Sequence, residues 1–131
     1  MLEQFLQTLS LELSTPPPRQ LKEGWSLLFV EGIEISFVDL KPGISMKASI
    51  ISLPSFKKED LLIYLMRANL LGQGTQGSRI GLDVEEKSLT LAQGLPYEMD
   101  YRTFKEKFEE FANHLFYWKK QLKEKIELER L

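Results

Sequence analysis

"LLIYLMRANLLGQGTQGSRIGLDVEEKSLTLAQGLP", residues 61–96, carries two periodicities separated by a glycine-rich loop. From Leu61 to Leu71 the chain is apolar almost all the way round, Arg67 and Asn69 excepted. It reads as a helix, capped by Ser55 after Pro54, with Glu59 and Asp60 favourable in the first turn. Gly72 suits a left-handed C-terminal cap. Beyond the loop, Ile80, Leu82 and Val84 alternate with Gly81 and Asp83, and Leu89 and Leu91 alternate with Ser88 and Thr90. A period of two marks strands. Glu85 to Lys87 supplies the turn of a hairpin that Gly94-Leu95-Pro96 ends.

The loop itself, Gly72-Gln73-Gly74-Thr75-Gln76-Gly77, has the G-x-G-x-x-G spacing of dinucleotide-binding turns. Such a turn works when a strand enters it and a helix leaves, so that helix amides face the phosphate. Here a helix enters and a strand leaves. Ser78 and Arg79 also stand where a P-loop needs lysine and a hydroxyl residue. The loop reads as a connector, and a small nucleotide-binding enzyme using residues 72–77 is the alternative it leaves open.

Upstream, Leu2, Phe5, Leu6, Leu9 and Leu13 recur at helical spacing, and Ser14-Thr15-Pro16-Pro17-Pro18 stops that helix. From Trp25 to Leu53 three antiparallel strands are expected. Leu27 and Phe29, then Ile33, Ile35 and Phe37, then Ile44, Met46, Ala48 and Ile50 occupy alternate positions. Glu31-Gly32 and Lys41-Pro42-Gly43 provide the turns. Downstream, Asp100 can cap a last helix in which Tyr101, Phe104, Phe108, Phe111, Leu115, Trp118 and Leu122 step by three and four. Lys105–Glu109, Lys123–Glu127 and Lys125–Glu129 are spaced for i,i+4 pairs on its charged faces. The expected fold class is α+β: a single domain over residues 1–131 in the order α-β-β-β-α-β-β-α, a twisted antiparallel sheet with three helices.

Composition supports one domain. The chain has 131 residues, 43% of them hydrophobic, and 17 basic against 19 acidic side chains. That balance exerts no pull on nucleic acid or anionic lipid. No run is long enough to cross a bilayer, and the N-terminus lacks the cationic lead of a signal peptide. With no cysteine, disulfides and thiolate metal sites are excluded, and a cytoplasmic location is expected. His114 is the only histidine and has no partner at metal-ligand spacing. The carboxylates Asp83, Glu85 and Glu86, and Glu106, Glu109 and Glu110, fall on a turn and a solvent face. No catalytic, cofactor-binding or metal site is expected, and so no enzyme.

Surplus apolar surface is expected instead. A helix apolar on all sides needs cover on all sides, and one sheet covers one side. A second subunit is the economical cover for residues 61–71. Gly81, in mid-strand, suits close approach of another backbone.

The element order, the acidic chain and residues 61–96 resemble the class I type III secretion chaperones of the CesT/SycE type. The resemblance runs nearly end to end. It is most specific at Ala68-Asn69-Leu70, the glycine loop, Gly81-Leu82-Asp83 and Leu89-Thr90-Leu91, and the final helix with "FYWKKQL" fits as well. The N-terminal half diverges more, and its proline triplet matches no motif of the family. The resemblance implies a non-enzymatic bacterial cytoplasmic dimer that holds the N-terminal segment of a secreted effector or gatekeeper extended and soluble. By position it implies a dimer interface at Leu62, Met66, Leu70, Ile80, Gly81 and Leu82. It implies substrate contacts at Phe5, Leu9, Leu28 and Val30, together with strand addition at a sheet edge. Homodimers and heterodimers with a sister chaperone both fit, as does a regulatory interaction domain of the same fold.

Overall fold

The computed structural model describes residues 1–29, 32–53, 58–71, 78–83, 85 and 87–130, and the side chains of all of these except 58, 68–71, 129 and 130. The elements are α1 (Leu2–Leu13), β1 (Arg19–Leu21), β2 (Gly24–Leu28), β3 (Glu34–Asp39), β4 (Ile44–Ser52), α2 (Lys58–Leu71), β5 (Arg79–Leu82), β6 (Ser88–Leu95) and α3 (Tyr101–Arg130). The proposed cap at Ser55, the turn residue Glu31, Val84 and the glycine loop lie outside the described residues.

The strands form one antiparallel sheet in the order β1-β2-β3-β4-β6-β5. β1 adds a strand that periodicity does not reveal. Three residues, two of them polar, are too few to show alternation. They pair because Gly24 turns the chain back at φ 105°, setting Arg19 opposite Ser26.

Register aligns the apolar positions on one face. Leu27 lies opposite Ile35, Ile35 opposite Ala48, and Ala48 opposite Leu91. Ile80 continues that row at the edge, opposite Leu91. All of these side chains are buried, together with Phe37, Met46, Ile44 and Leu89. The opposite face exposes Glu34, Val38, Lys47, Ser49 and Arg79.

α3 covers the apolar face. Its stripe of Phe104, Phe108, Phe111, Leu115, Trp118, Leu122 and Ile126 is buried. At its start the Thr103 amide donates to the Asp100 carboxylate at 2.8 Å, the cap expected from the sequence. Asp100 is thereby held below the usual carboxylate range. Leu2, Leu6 and Leu9 of α1 complete the core beside the ring cluster of Phe5, Tyr101 and Phe104. Lys105 pairs with Glu12 of α1 rather than with Glu109 of its own helix. Packing α1 against α3 brings that carboxylate across the interface. A register shift between Ser49 and Ile51 leaves Ile50 out of the β4–β6 ladder, and Lys119 donates to the Ile50 carbonyl at 3.0 Å.

Candidate functional site

α2 sits over the β5 end of the sheet, and among its described side chains only Leu61 and Leu65 turn fully inward. Its neighbours at successive 100° steps fall on three other faces. Tyr64 turns towards α3, its ring 6.3 Å from that of Trp118 and 4.7 Å from the Lys125 ammonium. Leu62 and Met66 turn towards β5. Glu59, Ile63 and Arg67 turn outward and are exposed. Met66 is 65% exposed and Ile63 48%. These values are large for apolar side chains so close together.

Between α2 and β5 runs an open apolar groove with a volume of about 360 Å³, lined by Leu62, Leu65, Met66, Ile80, Gly81, Leu82 and Leu89. Five of the six residues named from the sequence as an interface therefore meet on one surface. The sixth, Leu70, is on α2, but its side chain lies outside those described. An added Cβ at Gly81 meets nothing within 4 Å in this chain, so internal packing does not require glycine there. Among the described residues β5 is also an edge strand, one side of its backbone without a strand neighbour. Sequence reasoning missed Ile63 and Tyr64. Both stand in the apolar run, but nothing in that run tells which of its faces the sheet covers.

The residues named for substrate contact are dispersed. Phe5 is half-buried against Tyr101 and Phe104. Leu28 is 46% exposed at the end of β2, on the helix-free face of the sheet. Leu9 has no exposed surface: it points from α1 into the core, so its side chain is not presented to a partner. Val30 lies outside the described residues.

Among the described residues no three carboxylates, histidines or cysteines lie close enough to hold a metal ion. The glycine loop falls between the C-terminal end of α2 and β5, so the element after it is a strand. No described helix is long and apolar enough to cross a membrane.

Comparison with known proteins adds three facts. Residues 2–119 match the model of the Tir chaperone protein (CesT) family. No curated protein sequence matches the chain. Among solved structures, a chain of the ExsC–ExsE complex shares the fold at TM-score 0.72 and 14% identity, covering 91% of each chain. One from the HopA1–SchA chaperone–effector complex gives 0.64 and 15%, covering 91% of this chain and 93% of that one. One from the heterodimeric ExoU–SpcU complex of the Pseudomonas aeruginosa type III secretion system gives 0.58 and 16%, covering 93% and 94%.

Proposed function

The chain belongs to the Tir chaperone protein (CesT) family, and from that membership we propose that it is a chaperone for a type III secretion effector. The match over residues 2–119 is the observation that carries this reading. The fold agrees, being shared with chains solved in a chaperone–effector complex and in a type III secretion complex.

In this reading the protein works in the bacterial cytoplasm as a dimer closed through α2 and β5. Docking on the groove of Leu62, Met66, Ile80, Gly81 and Leu82, with Leu70 beside it, removes the exposed apolar surface of α2 from water. The N-terminal segment of the effector lies extended along each protomer. It stays soluble because its own apolar side chains are covered, Phe5, Leu28 and Val30 being contacts on the chaperone side. Main-chain hydrogen bonds at a sheet edge give affinity with little demand on side-chain sequence.

Co-expression with candidate effectors tests the reading. The expected result is a stable complex containing two chaperone chains, or one with a sister chain. A strictly monomeric protein that retains no secreted partner overturns it. Calorimetry with ATP and NAD tests the nucleotide alternative. Micromolar binding that is lost in Gly74→Val would favour an enzyme instead.

A further inference from the structure

Ser14-Thr15-Pro16-Pro17-Pro18 joins α1 to β1, and the function proposed above makes no use of it. Each proline fixes its own φ at about −65° and drives the residue before it into extended geometry, so Thr15 to Pro18 is held as polyproline II. Burial follows the three-residue turn of that helix. Thr15 and Pro18 are half-buried, whereas Pro16, Pro17 and, one turn after Pro16, Arg19 are exposed. Both ends are tied down. The Ser14 and Thr15 amides donate to the Leu11 and Ser10 carbonyls at 3.3 and 3.0 Å, and Arg19 is paired with Ser26 of β2. Leu11, in the last turn of α1, adds an apolar side chain that is 81% exposed.

We infer that this segment is a docking ridge for a further protein partner, one with an aromatic-walled groove, indole or phenol donors in it, and a carboxylate beside it. Pro16, Pro17 and Pro18 carry carbonyls but no amide N–H, so no strand can add along them. A partner reads such a ridge by packing rings on the pyrrolidines and donating hydrogen bonds to the carbonyls. The carboxylate is called for by Arg19, whose guanidinium already takes the Glu34 carboxylate at 3.0 Å. That pair is exposed on both sides, so an incoming carboxylate replaces Glu34 at little cost. Binding also costs little ordering entropy, because the ridge dihedrals are fixed before the partner arrives. β1 and β5 are the opposite edges of the sheet, so a subunit seated on α2 and β5 leaves the ridge open. The ridge is a separate contact and does not rest on the chaperone reading.

An isolated WW domain selective for proline–arginine ligands serves as the probe, titrated into the full chain and followed by calorimetry. Saturable binding is expected. Pro17→Ala and Arg19→Glu should each weaken it by roughly tenfold or more, the first by removing a ring contact and the second by reversing the charge. Arg19→Lys, which keeps the charge, should retain most of the binding, and Glu34→Gln, which frees Arg19, should not weaken it. Thermal melts matching wild type show that the losses are not misfolding. A full chain that the probe does not bind, while it binds a peptide of residues 11–21, overturns the inference, because the ridge is then occluded. Binding indifferent to Pro17→Ala and Arg19→Glu overturns it as well. Either failure leaves the chaperone reading standing, since that reading is tested by effector retention.

Discussion

Gly24 turns β1 into β2 at φ 105°, and a Cβ there would overlap the carbonyl oxygen of Phe37 on β3. Both the dihedral and the close backbone approach demand glycine. We expect Gly24→Ala to lower unfolding free energy by more than about 1 kcal/mol in urea titration. Gly81→Ala, where nothing lies within 4 Å, should leave the fold equally stable. Equal losses at the two positions would refute the distinction. At the α1–α3 contact, Lys105 holds the Glu12 carboxyl below its usual range, chiefly by their hydrogen bond. The nearby Tyr101 hydroxyl is pushed up to about 12, first by burial and then by Glu12, though no hydrogen bond of ordinary geometry reaches it. A depressed carboxyl stabilises the fold above its unfolded pKa, and that contribution is lost as pH falls through the folded value. Glu12→Gln should therefore melt below wild type at neutral pH, the gap closing under acid conditions below the ordinary carboxylate range. The gap should be small, because the pair is exposed to solvent. A gap that widens in acid would contradict the assignment.

Among the elements, α3 was the most legible in sequence, because seven large apolar side chains repeat at helical spacing and charges fill the rest. Its length was not. The helix continues to Arg130, and Leu122 and Ile126 are buried in its last turns, where Lys125 stands over Tyr64 of α2. The end of α3 thus braces the helix proposed to meet a second subunit. Leu122→Ala should cost about 2–5 kcal/mol by chemical denaturation, as for a buried leucine truncated in place. A cost below about 1 kcal/mol would mean that the last turns are not part of the cooperative core. β1 shows the opposite limit: it is a strand because a partner strand accepts it, and no local pattern announces it. Lys105 likewise has a helical i,i+4 neighbour in Glu109, yet pairs across to α1, since sequence spacing does not show which elements meet.

On the scale of the whole molecule, three helices lie on one face of a six-stranded sheet, and α2 is left with more apolar surface than the described residues cover. Leu62→Glu or Met66→Glu, placing a charge in the α2–β5 groove, should give monomer or aggregate by light scattering. An unchanged dimer mass would count against that groove as the interface. The sequence by itself determined the helices, all but one of the strands, and the surplus of apolar surface, because periodicity is local and survives in the order of residues. Resemblance over residues 61–96 pointed to the family for the same reason. Tertiary structure alone decided which side of α2 stays open, that Ile63 stands there between Glu59 and Arg67, and that Leu9 is sealed in the core. An apolar side chain reads the same in sequence whether it will meet its own sheet or a partner, and only packing distinguishes the two.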